Sequence, residues 1–167
     1  MQQKKLVDSS RLEIAGIPLL YTRPAAMEKD TPTVFLYHGW SSRKENYLFM
    51  ARILSLHGYQ VLIPDVANHG ERGILNYDDI GEIESYFWRT VISTVEEFPI
   101  ILQETRKKLA IDPHRLAVMG SSMGGIIAGG IFARNKSIKT LIVINGACAW
   151  EDVEQRVRIL RCIERTA

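Results

Sequence analysis

The sequence predicts an α/β fold, a mostly parallel sheet with helices on both faces, and three observations carry that expectation. Short apolar runs (Val34–Tyr37, Tyr59–Asp65, Leu116–Gly120 and Thr140–Asn145) alternate with helical stretches, and strands alternating with helices form parallel sheets with right-handed crossovers. The runs are continuous rather than alternating, as expected where helices cover both faces of a strand. The stretch Leu116–Ile131 passes from strand to helix through one abrupt, glycine-flanked turn.

Length and composition fit one domain: 167 residues, 46% of them hydrophobic, with a net charge of +2. Basic residues are scattered and do not interleave with aromatics, so a nucleic-acid partner is not expected. The N-terminus, MQQKKLVDSS, has positive charge but no apolar segment behind it, and no run is long enough to span a bilayer. A cytoplasmic protein without membrane contact is therefore expected. Cys148 and Cys162 lack C-x-x-C spacing, so reduced thiols are the default, and no metal or redox cofactor is implied.

Along the chain, Arg11–Thr22 shows two short alternating runs around Ala15-Gly16, which predicts an antiparallel hairpin at one sheet edge. Thr31-Pro32 begins a new strand, which ends at His38-Gly39-Trp40. A helix is expected from about Glu45 to His57, closed by Gly58. The strand Tyr59–Asp65 leads into the polar loop Val66–Gly73. A long helical stretch from about Asp79 to Leu109 should break near Pro99, whose ring removes a donor and clashes with the preceding turn. Asp112-Pro113-His114-Arg115 turns the chain into the strand Leu116–Gly120. Thr140–Asn145 reads as another buried strand, and Glu151–Arg165 as a charged amphipathic helix.

Ser122 is the residue that needs explaining. It occupies the centre of Gly120-Ser121-Ser122-Met123-Gly124, the G-x-S-x-G pattern of a nucleophile elbow. Glycines two before and two after it are required because a strand reversing into a helix leaves no room for a Cβ. Ser121 fails the pattern, since Met119 stands two residues before it. The geometry would lift the Ser122 hydroxyl clear of the sheet and point the Met123 N–H toward an oxyanion forming beside it. A dinucleotide loop would need G-x-G-x-x-G and a phosphate loop Gly-Lys-Ser/Thr, and neither is present here.

Taken together, HGW after one strand, D-x-x-x-H-G after the next, DPHR before the third and GSSMGG at its end resemble an α/β-hydrolase, most closely bacterial esterases of the prolyl-oligopeptidase-like group. The likeness runs from about Arg11 to Ala147. It implies a serine hydrolase acting on small-molecule ester, thioester or amide substrates through an acyl-enzyme, with no cofactor. It further implies that the Trp40 backbone N–H joins that of Met123 in the oxyanion hole. Such enzymes place the catalytic acid after the seventh strand and the histidine after the eighth. By that comparison residues 1–167 form one incomplete hydrolase domain, truncated after the sixth strand, with 151–167 a terminal helix at the start of the cap region.

A serine hydroxyl needs a base within about 2.6–3.2 Å. Only loops at the carboxyl ends of the strands can reach Ser122, which excludes His57 and His114 and leaves His38 and His69 as possible surrogates. The resemblance assigns both to loop-shaping hydrogen bonds. Asp152, with Glu151, could supply the acid or could simply favour a helix N-terminus, and Asp65 reads as structural. Three readings stay open: a serine esterase scaffold with weak or no activity alone, an inactive hydrolase-like binding module, and an acyl-transfer module completed by a partner. An apolar sixth strand (Leu141, Ile142, Val143, Ile144) left as an edge, with a stripe at Val153, Val157, Leu160 and Ile163, predicts a homodimer across that strand and the terminal helix.

Overall fold

In the computed structural model, residues 6–28 and 30–151 are described. The expected helix Glu151–Arg165, its apolar stripe, Asp152 and Cys162 lie essentially outside those residues.

The chain opens with β1 (Val7–Ile14) and β2 (Ile17–Pro24), paired antiparallel with Ile14 opposite Ile17. The turn between them, Ala15-Gly16, has positive φ at both residues, 55° and 74°, the conformation whose twist matches that of a two-residue hairpin. Next come β3 (Thr33–Tyr37) and β4 (Gln60–Pro64), which are parallel to each other, while β2 joins β4 antiparallel. Then follow β5 (Leu116–Ser121), parallel to β3, and β6 (Ile138–Ile144), parallel to β5. The sheet order is β1-β2-β4-β3-β5-β6, so four adjacent strands are parallel and the hairpin supplies the antiparallel edge.

Helices cover both faces. Phe35, Tyr37, Leu62 and Val118 point to one side and pack with Val95 and Phe98 of α2 (Ile80–Lys108) and Ile127 of α3 (Met123–Arg134). The alternate residues Val34, Leu36, Val61 and Ile63 face Ala51 of α1 (Leu48–Leu56) on the other side. Both faces of β3 and β4 are buried, which accounts for their unbroken apolar sequences.

Three elements differ from expectation. The first helix begins as a 3-10 turn, Lys44–Tyr47, before α1, because Lys44 is drawn inward to Asp65. The second does not break: α2 is continuous through Pro99. Pro99 is exposed, while Val95, Phe98, Ile101 and Leu102 around it are buried, and packing of that face offsets the missing donor. Asp79 caps α2, its side chain accepting the Glu82 N–H at 2.9 Å. Finally, β6 starts two residues early and is not fully buried, with Ile142 and Ile144 at 38% and 37% exposure. Its outer edge has no partner strand among the described residues.

After β6 the chain returns over α3. The Trp150 indole crosses Gly130 and donates to the Ile126 carbonyl at 3.2 Å, so the small residues of α3 make room for this return. Among the described residues no helix is long and apolar enough to cross a membrane.

Candidate active site

Ser122 stands alone between the end of β5 and the start of α3, with φ 54° and ψ −121°. A residue with a Cβ held there stores roughly 1–3 kcal/mol of strain. The surroundings impose it: the Ser122 N–H donates to the Ile144 carbonyl at 2.9 Å, and its carbonyl accepts from Gly125 N–H at 2.9 Å. A Cβ on Gly120 would overlap the Gly124 carbonyl, and one on Gly124 would overlap the Tyr37 carbonyl. The strand ends of β3 and β5 and the first turn of α3 therefore touch backbone to backbone. Ser122 is exposed, and its Oγ makes no hydrogen bond with the described residues. Met123 is the first residue of α3, so its N–H has no acceptor within the helix. Gly39 brings the loop after β3 against the elbow: a Cβ placed there would lie 3.3 Å from Ser121 O and 3.4 Å from Ser122 Cβ. Trp40 follows directly.

His38 and His69 come together behind this edge, with ring centroids 5.5 Å apart. His38 is fully buried. Its Nδ1 donates to the Gly39 carbonyl at 2.9 Å and its Nε2 accepts the Val66 N–H at 3.2 Å, so both ring nitrogens are engaged by backbone. Burial pulls its pKa down to about 4, which keeps the ring neutral. In His69, Nδ1 donates to the Ala67 carbonyl at 2.9 Å, while Nε2 is buried with no partner among the described residues. Its ring stacks on Tyr77 at 4.7 Å and meets Trp40 edge-on at 5.0 Å, and burial lowers its pKa as well. His57 caps the end of α1 and His114 lies in the turn before β5, both at the opposite edge.

Lys44 carries no mark in the sequence, yet it is the group that organises these loops. It is fully buried and its ammonium meets Asp65 Oδ2 at 2.5 Å, while its N–H donates to Asp65 Oδ1 at 3.0 Å. Glu71 N–H donates to Asp65 Oδ2 at 3.0 Å. Burial alone would raise the Asp65 pKa, but the bonds from Lys44 and the backbone hold it below the usual carboxylate range. Burial would likewise lower Lys44, and its bonds to Asp65 and Glu71 outweigh that, leaving it raised. Neither motif spacing nor local periodicity links residue 44 to residue 65.

A polar cavity of about 620 Å³ borders the loop, lined by residues that include Ser41, Ser42, Asn46, Glu71 and Tyr77. A second, of about 370 Å³, lies at the far edge between Leu54, Tyr59, His114 and Ile142, away from Ser122. Among the described residues no group of three or more His, Cys, Asp or Glu side chains is placed to hold a metal ion.

Two outcomes follow from this geometry. Gly124→Val, or Gly120→Val, should destabilise the fold by about 1–3 kcal/mol or more through backbone overlap; an unchanged urea midpoint would refute the close approach. The second concerns pH. His38 titrates near 4 folded but near 6.5 unfolded, so its contribution is complete above about pH 6.5. As pH falls toward 4 the unfolded chain takes up the proton first, and stability should drop by up to about 3 kcal/mol. His38→Gln should flatten that slope, and identical slopes in the two proteins would sink the assignment.

Comparison with known proteins agrees with this geometry. The profile of the family described as serine aminopeptidase, S33, matches residues 28–166. Esterase YjfP of Escherichia coli (strain K12) is 31% identical over 144 residues, taking in 85% of this chain and 56% of its own length. Among solved structures, TT1662 of Thermus thermophilus superposes with a TM-score of 0.71 at 23% identity, over 84% of this chain and 57% of its own. A cold-adapted esterase from an Arctic intertidal metagenomic library does so with a TM-score of 0.65 at 23% identity, over 84% and 62%. The chain thus spans little more than half the length of these relatives. With the family profile covering most of its residues and the hydrolase sheet and elbow in place, the chain belongs to the serine aminopeptidase S33 family of α/β-hydrolases.

Proposed function

We propose that this chain carries the nucleophile and oxyanion side of a serine esterase acting on small ester or acyl substrates. The single observation behind the reading is the backbone of Ser122, held at φ 54° and ψ −121° with its hydroxyl exposed. Strain kept at an exposed serine is a common feature of working sites. Ser122 Oγ would add to the substrate carbonyl carbon, its proton passing to a base. The N–H groups of Met123 and Trp40 would hold the oxygen as it becomes negative. Collapse would expel the alcohol and leave an acyl-serine, which water then hydrolyses.

The base limits the rate. With both nitrogens bonded to backbone, His38 serves to position the loop. His69 retains one imidazole lone pair, at Nε2, and Asp152 stands outside the described residues. None of the four histidines is hydrogen-bonded to Ser122, so turnover by this chain alone is slow. That same bare hydroxyl favours a second reading, a hydrolase-like binding module without chemistry. The reading places the protein in the cytoplasm, where the exposed Cys148 stays a thiol.

Hydrolysis of p-nitrophenyl acetate tests the first reading. Without an engaged base, acceleration should stay within about 10³–10⁴-fold of water, the part that oxyanion donors and binding supply, while a slowly formed acetyl adduct on Ser122, located by peptide mapping, should be absent in Ser122→Ala. Turnover like that of a full-length esterase would overturn the slow-base inference, and no adduct on Ser122 in the wild-type chain would overturn the nucleophile.

We also propose that two copies pair across β6. The support is its unpartnered, half-exposed edge with Ile142 and Ile144 outward, which invites strand addition about a two-fold axis. Val143 points instead toward Gly125 in the first turn of α3 and Gly146 just after β6, so Ile142 is the position to change. Light scattering should find a dimer that Ile142→Lys dissociates; a monodisperse monomer at high micromolar concentration would exclude it.

A further inference from the structure

The gap beside Ser122 has one wall that the elbow does not account for. Tyr47 ends the 3-10 turn and leads into α1. Its ring packs against the apolar layer that includes Val34, Leu36, Ala51 and Met119 and lies 6.4 Å from the His38 ring. Its Oη is 3.8 Å from the point where a Cβ on Gly39 would sit. That same point is 3.4 Å from Ser122 Cβ and 3.3 Å from Ser121 O. The phenol and the serine therefore border one small space, the space left by the side chain that Gly39 lacks, and the Trp40 N–H is one peptide away. Of the other tyrosine hydroxyls at this edge, Tyr77 Oη is spent on the Asn68 carbonyl at 3.1 Å, and Tyr37 Oη, though without a partner among the described residues, is buried in the core cluster that packs on α2. Tyr47 Oη makes no hydrogen bond with the described residues, and the side chain is only partly buried. An O–H without a partner among the described residues, bordering the gap where negative charge would develop, is a donor within reach of it.

We propose that the Tyr47 hydroxyl is a third oxyanion donor, giving its hydrogen bond to the substrate oxygen beside the N–H groups of Trp40 and Met123. This rests on Ser122 being the nucleophile, and the test separates the two. An alkyl fluorophosphonate reproduces the step: Ser122 Oγ bonds to phosphorus, the P–F bond breaks, fluoride leaves, the serine proton passes to solvent, and the phosphoryl oxygen takes the place of the oxyanion. The wild-type 167-residue chain, Tyr47→Phe and Ser122→Ala are compared by rate of labelling, with the modified residue located by peptide mapping. Tyr47→Phe keeps the ring and should keep the wild-type melting temperature while labelling about 10-fold or more slowly. Equal rates would overturn the Tyr47 assignment and leave Ser122 standing. A slower rate accompanied by a lower melting temperature would assign Tyr47 to packing and also overturn it. Failure of the wild-type chain to label at Ser122 would remove both.

Discussion

A buried carboxylate holds the two loops that flank Ser122. Asp65 is wholly inaccessible, and an ionised group in that position is tolerable only if it is paired and hydrogen-bonded. It accepts two backbone N–H groups, one from Lys44 after β3 and one from Glu71 after β4, and the Lys44 ammonium supplies the opposite charge. Gly70 has positive φ, and a Cβ there would overlap the Asp65 carboxylate, which explains the glycine that closes D-x-x-x-H-G. From this centre the ties spread. Glu71 reaches Arg11 of the hairpin at 3.0 Å, and Arg72 grips Glu97 of α2 at 2.8 and 2.6 Å. A buried ion pair adds little net stability over an apolar substitute, yet losing one partner costs about 3–5 kcal/mol. Its value here is geometric, since it allows only one relative placement of the two loops.

That placement decides what the histidines can do. The loop after β3 must run close enough to the elbow for Gly39 to lie against Ser122, and the two nitrogens of His38 hold it there by bonding Gly39 and Val66. A ring used in this way is neutral and fully occupied, so its proximity to the elbow brings no basicity. The edge beside Ser122 is thus built from backbone held by buried polar groups, and neither histidine of these loops is hydrogen-bonded to the serine.

Much of this was legible in the sequence. The hairpin at Ala15-Gly16, the central strands, the elbow and the end of α1 before the positive-φ Gly58 all follow from local signals: turn residues, unbroken apolar runs and glycines at fixed offsets. What could not be read depends on partners distant in the chain. Lys44 sits in a polar stretch and gives no hint that Asp65, just past the end of β4, will bury it. Pro99 is a helix breaker by local rules, and only the tertiary burial of Phe98 and Ile101 overrides that. Tyr47 looks like an ordinary aromatic of an amphipathic helix until Gly39 brings the elbow to its hydroxyl. The exposure of β6 was hidden for the same reason, because an apolar strand reads as buried whether or not a neighbour lies beside it.

The aromatic rings along the carboxyl edge have an optical consequence. The protein contains three tryptophans, and all of them stand in one chain of contacts: Trp40 to Phe87 at 5.7 Å, Phe87 to Trp88 at 5.8 Å and Trp88 to Trp150 at 5.6 Å. Trp40 also touches the His69 imidazole. Intrinsic emission from this molecule is therefore a local signal, weighted to the side of the sheet where Ser122 lies and coupled among its three indoles. A dye-free spectrum would register events at that edge while remaining almost silent about the hairpin at the other end of the sheet.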